Sequence, residues 1–175
     1  MNLWEDGASL DSKEDDSMDS RADVAVVRWR GEFSLVAAAD ISEGEFLFRI
    51  EGERTATPTR YSVQLDEMTH IDLGVHPLET LLDRYYWRFM NHHCEPSAVV
   101  RGQDVFAARS LRAWDEITFD YNTTEYRMAE AFPCRCGSVH CPGQIQGFQA
   151  LSPARQRALR PALAPYLLRL LHENE

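Results

Sequence analysis

Nothing restricts this 175-residue chain more than the placement of its four cysteines. Three of them, Cys134, Cys136 and Cys141, fall close together, with Gly137 directly after the second. That spacing lets one tight loop turn three sulfurs toward a single ion. Zinc bound by sulfur takes four ligands in a tetrahedron, so a fourth must come from elsewhere in the chain. Cys94 is the cysteine that remains, with His93 and His140, each beside a ligand candidate, as the alternatives. A shell of Cys94, Cys134, Cys136 and Cys141 leaves no open coordination position, so such a zinc is structural, and the chemistry must lie in the segments it ties together.

Cysteines held for a metal imply a reducing compartment, and no stretch approaches the roughly 20 apolar residues of a membrane span. A cytoplasmic protein without membrane contact is expected. The net charge of −10 argues against direct nucleic acid binding, which needs dense Lys and Arg, and favours a basic partner. Residues 1–23 hold Glu5, Asp6, Asp11, Glu14, Asp15, Asp16, Asp19 and Asp23 against Lys13 and Arg21, with little to bury. They are expected to form an acidic, disordered tail.

From Val24 onward the texture is short β-rich runs bounded by Gly, Asp, Asn and Pro: VAVVRW, SLVAAA, EFLFRI, YSVQL, HIDL, AVVRG, DVFAA and EITFDY. Many short strands separated by turn signals predict a mostly β fold with short helices. Helical stretches are expected at Leu78–Trp87 and at Glu125–Ala131. Near the end, Ser152 is placed to cap a helix whose first position is Pro153, and Pro161 and Pro165 should break or kink the helical run beyond it. Leu159, Leu163, Tyr166, Leu167 and Leu170 recur at helical spacing, which serves either a face packed on the body or a homodimer surface through the C-terminal helix.

Four motifs, in order, resemble the SET-domain protein-lysine methyltransferase family. RFMNHHCEPSA, Arg88 to Ala98, is similar to R-F-x-N-H-S-C-x-P-N, with His93 for the serine and Ser97 for the asparagine. EITFDYN, Glu116 to Asn122, is similar to E-L-T-F-D-Y; DISEGEFLFRIEGE, Asp40 to Glu53, resembles the family's entry strands. FPCRCGSVHCPGQIQGF, Phe132 to Phe148, resembles the post-SET zinc segment. The resemblance implies small twisted sheets around a threaded pseudoknot over residues 24–131, a zinc-bound post-SET segment over 132–148 and a helical extension over 149–175.

It also implies a reaction: transfer of a methyl group from S-adenosylmethionine to a lysine amine of a protein or peptide. The amine must be neutral and in line with the methyl carbon, so positioning dominates. Tyr121 is then the catalytic residue, its hydroxyl orienting amine and methyl, with Phe119 lining the substrate channel. Asn91 and His92 match the cofactor-binding pair. Phe33 and Ser34 fall where the first cofactor motif aligns, Arg88 meets the cofactor or braces its loop, and Phe132 covers the adenine or packs over the zinc loop.

Three positions depart from the pattern. The G-x-G motif falls on Glu32, Phe33 and Ser34 or begins at Gly31; Ile50 stands where many members place an active-site tyrosine; and Trp114 replaces a turn glycine, so that turn is expected to change conformation. These departures motivate a rival reading, a zinc-stabilised SET module that binds without turnover. Another keeps the chemistry but gives it a small amine or peptide as acceptor.

Overall fold

A computed structural model describes residues 23–173; the expected acidic tail lies, apart from Asp23, outside the described residues. The elements run β1 (Val24–Trp29), β2 (Glu32–Ala37), β3 (Phe46–Arg49), β4 (Glu53–Thr55), β5 (Val63–Gln64), β6 (His70–Asp72), α1 (Leu78–Asp83), β7 (Asn91–His92), β8 (Ala98–Arg101), β9 (Asp104–Ala107), β10 (Thr118–Phe119), β11 (Phe132–Pro133), β12 (Gln144–Ile145), α2 (Pro153–Ala158) and α3 (Pro165–Glu173). Five small sheets result: the hairpin β1-β2, the triplets β3-β9-β8 and β4-β6-β5, and the pairs β7-β10 and β11-β12. The mostly β expectation holds, with all pairings antiparallel except β7 with β10.

That parallel pair positions the site. Asn91 lies opposite Thr118 and His92 opposite Phe119, so the two signature segments, distant in sequence, run side by side. The main core is built where apolar positions of the strands and their flanking segments converge, with Leu35, Leu47, Phe48, Ile50, Val105 and Ile117 almost wholly buried. A second apolar cluster joins Phe148 to the C-terminal helices through Leu159, Leu163, Tyr166 and Leu167, with Leu170 packed at its edge. The helical spacing of those residues therefore serves the packing of the chain's own extension.

Local signals near the C-terminus are obeyed. The Ser152 hydroxyl accepts the N–H of Arg155, Pro153 opens α2, a 3-10 turn spans Arg160–Ala162 around Pro161, and Pro165 begins α3. Two helical expectations shift. The first stretch splits into α1 and a separate 3-10 turn at Tyr86–Phe89, which turns Tyr86 and Trp87 into the core. The second moves upstream: a 3-10 turn forms at Tyr121–Thr123, and residues 125–131 are not helical. Its cause is Asp120, whose carboxylate accepts the Asn122 N–H at 3.1 Å and so starts the turn early.

At the turn before β10, Trp114 has φ of 77° and is 71% exposed, so a tryptophan adopts the left-handed conformation that favours glycine. Its N–H donates to the Ala37 carbonyl at 2.8 Å, which holds the backbone in place despite the side chain.

Candidate active site and zinc centre

Cys94, Cys134, Cys136 and Cys141 place their four sulfurs within 4.8 Å of one another. A tetrahedral ZnS4 centre with bonds of about 2.3 Å needs sulfurs about 3.8 Å apart, so small side-chain rotations close the shell. The loop geometry suits it: Gly137 and Gly143 have positive φ, the Cys134 N–H donates to the Gly143 carbonyl, and the Gly143 N–H points at Cys141 Sγ at 3.4 Å. Burial, then the neighbouring thiols, push the Cys94 thiol well above its ordinary value, so a bound cation is what allows thiolates to gather here. Neither neighbouring histidine belongs to the cluster: His93 Nδ1 accepts the Glu95 N–H, and His140, whose main-chain N–H donates to Ser138 Oγ, is exposed. The donor set fits one structural zinc.

The cysteine cluster is joined to the signature strands through His92. Its Nδ1 accepts the Tyr121 N–H at 3.2 Å, which leaves the proton on Nε2, 3.3 Å from Cys94 Sγ. Burial, with the charges of His93 and Arg155 adding to it, lowers the His92 pKa to about 4, so the ring is neutral. Both ring nitrogens are thus engaged inside the protein. Arg155 of α2 braces the same corner, donating to the Cys94 carbonyl at 2.9 Å and to Asp120 at 3.3 Å.

Asn91 gathers the candidate cofactor residues. Its side-chain amide donates to the Phe33 carbonyl (3.2 Å), Ser34 Oγ (3.2 Å) and Glu116 (2.9 Å), so Phe33 and Ser34 do meet the Asn91 segment despite the missing glycines. Phe33 packs on Phe89 with ring centres 5.0 Å apart. Phe132 stands 5.8 Å from the His92 ring and 6.0 Å from that of Tyr121, partly exposed. Arg88 faces Asp72 at 3.9 Å with its guanidinium 3.8 Å over the Tyr61 ring.

On the other side of Tyr121 lies a cavity lined by Tyr61, Arg88, Met90, Phe119, Tyr121 and Glu125, among others. The rings of Phe119 and Tyr121 are 4.6 Å apart, as expected, although Tyr121 opens a 3-10 turn and does not continue the strand. The Tyr121 hydroxyl donates to the Met90 carbonyl at 2.9 Å, which leaves its lone pairs free to accept. Burial, reinforced by Glu125 and Glu116, raises its pKa, so it stays protonated at neutral pH. Ile50 is fully buried in the core and supplies nothing to this cavity. Tyr61, Met90 and Glu125 were not singled out from the sequence. Tyr61 and Glu125 sit in segments whose partners are remote in sequence, so no local pattern marks them.

A SET-domain family model matches residues 32–122, more than half of the chain. Among curated proteins, a histone-lysine N-methyltransferase, H3 lysine-36 specific, of Yarrowia lipolytica is 32% identical over 132 residues, covering 66% of this chain and 17% of that protein. Histone-lysine N-methyltransferase ASHH2 of Arabidopsis thaliana is 41% identical over 138 residues, covering 66% of this chain and 7% of its own. The chain therefore spans less than a fifth of the length of these relatives. In fold, it resembles KRYPTONITE in its crystal structure with mCHG DNA and SAH, at a TM-score of 0.54 and 23% identity over 71% of this chain and 29% of that one. The parallel pairing of the two signature strands, the sulfur cluster beside it and the matched residues agree: the chain belongs to the SET-domain family.

Proposed function

We propose that this protein is a methyltransferase that moves a methyl group from S-adenosylmethionine to a lysine side-chain amine of a protein or peptide. The observation that carries this reading is the Tyr121 hydroxyl, fixed by the Met90 carbonyl between the Asn91–His92 segment and an aromatic-lined cavity. Relatives named as histone-lysine N-methyltransferases support it.

Phe33, Ser34, Asn91, the main chain of His92 and Phe132 surround the place for the cofactor, which supplies an electrophilic methyl on a sulfonium. Tyr121, with its own proton committed to Met90, accepts from the acceptor amine and aligns its lone pair with the methyl carbon. Phe119 and Met90 exclude water from the channel. Two unit positive charges about 4 Å apart repel by about 4 kcal/mol at an effective dielectric near 20, which favours loss of the lysine proton before attack. A basic segment around the lysine suits the chain's net charge of −10.

Titration calorimetry with S-adenosylmethionine tests the reading. Micromolar binding is expected; absence of heat at millimolar cofactor would instead favour a SET scaffold without turnover.

A further inference from the structure

The proposed reaction needs a proton acceptor, and Tyr121 is not one. We infer that Glu125 is that acceptor: its carboxylate receives the substrate ammonium in the cavity beside Tyr121 and takes one of its protons. This rests on the methyltransferase reading of the same cavity.

The local chain builds the position. The turn after Asp120 closes with the Glu125 N–H donating to the Tyr121 carbonyl at 2.9 Å, which brings Glu125 under the same face as Tyr121. The residue is only 5% exposed, yet it lines the cavity. Its Oε1 takes both of its side-chain hydrogen bonds, from the Gln64 N–H at 2.8 Å and from Thr124 Oγ1 at 3.3 Å. Oε2 makes none among the described residues and is not among the buried atoms sealed off without a partner.

A carboxylate held so far from water is costly unless a cation meets it. If Glu125 served only to cap the Gln64 N–H, a glutamine would do so without burying a charge. Facing groups are Arg60 and Arg88 on the cavity wall and the hydroxyls of Tyr121 and Tyr166. The guanidinium of Arg88 is spent on Tyr61 and Asp72, and among the described residues no ion pair joins either arginine to Glu125. Burial raises the Glu125 pKa to about 7, against the opposing effect of the Gln64 and Thr124 hydrogen bonds, which suits a group exchanging protons near neutrality.

The balance is simple. One N–H bond of the ammonium breaks and one O–H bond forms at Oε2. The lone pair left on nitrogen makes the bond to the methyl carbon while the carbon–sulfur pair leaves with sulfur. The proton on Glu125 then passes to water at the cavity mouth, where Tyr61 is half exposed.

The test uses n-butylamine as the lysine side-chain probe, added to the full zinc-loaded chain with S-adenosylhomocysteine and monitored by NMR. Wild type should bind it, more tightly as pH rises through about 7, and Glu125→Gln should lose at least about tenfold in affinity while S-adenosylhomocysteine affinity and melting show the fold intact. Glu125→Asp should keep part of the binding. Equal binding by wild type and Glu125→Gln, or no binding by wild type, would overturn the assignment. Butylamine binding that depends on Glu125, in a protein that transfers no label to histone H3 or lysate proteins, would count against the protein-lysine reading and leave this assignment standing.

Discussion

His92 Nε2 lies 3.3 Å from Cys94 Sγ, and the opposite nitrogen of that ring accepts the main-chain N–H of Tyr121. One neutral imidazole therefore couples the cysteine cluster to Tyr121, the residue proposed to stand at the reacting position. Donation of a ring N–H to a metal-ligating sulfur is the kind of outer contact that orients ligands and tunes their charge. Zinc held by these cysteines would do more than close a loop: its loss should be felt at Tyr121.

The purified protein is expected to hold about one zinc per chain, and Cys94→Ser should release it as readily as Cys136→Ser. Structural zinc contributes of order 10 kcal/mol to local folding, so chelation should melt the segment from Phe132 to Phe148 and change the near-ultraviolet signal of Tyr121. Metal analysis showing unchanged zinc in Cys94→Ser would remove that residue from the shell.

Tyr121→Phe keeps the ring that packs on Phe119 and removes the hydroxyl held by Met90. Methyl transfer should slow by roughly 10² or more, with cofactor affinity nearly unchanged. Asn91→Ala should do the reverse, weakening S-adenosylmethionine binding first, because its amide ties together Phe33, Ser34 and Glu116. Single-turnover rates and titrations separate the two; defects in binding alone for both would contradict this division.

Glu125 also sets a stability trend. Its folded pKa of about 7 lies above the ordinary 4.5, so folding disfavours the ionised form. Below about pH 4.5 the group is neutral in both states and costs nothing; the penalty grows between 4.5 and 7 and is complete above 7, amounting to up to about 3 kcal/mol. Glu125→Gln should therefore raise the melting temperature near pH 8 and have little effect near pH 4. A variant less stable than wild type near pH 8 would show that the charge is compensated in the folded protein.

Trp114→Gly should stabilise the fold by about 1 kcal/mol, because a residue with a Cβ at φ of 77° carries about 1–2 kcal/mol of strain and the exposed indole buries little. Trp114→Ala, which keeps the Cβ, should gain nothing. Denaturant midpoints for the pair decide whether the strain lies in the backbone.

The sequence disclosed the strands best where a β-branched apolar run was long: VAVVRW is β1 residue for residue. It disclosed the sulfur shell because ligand counting leaves a single consistent set of cysteines. The helical turn after Asp120 was expected too far along the chain because a short cap-driven turn has no periodicity to detect. Phe119 and Tyr121 were legible as neighbours, and Asn91 with Phe33 and Ser34 as one region. Glu125 and Tyr61 were not, since a carboxylate in an otherwise polar stretch resembles a surface residue until Gln64, sixty-one positions away, is seen to donate to it.

The most direct measurement tracks the methyl group itself. Wild-type protein is incubated with methyl-labelled S-adenosylmethionine and either recombinant histone H3 or a cell lysate, and the protein fraction is hydrolysed to amino acids. Label is expected in ε-N-methyllysine, and Tyr121→Phe should reduce it by roughly 10² at equal cofactor occupancy. Label confined to small molecules, or transfer to lysine that is indifferent to Tyr121, would contradict a protein-lysine methyltransferase centred on Tyr121.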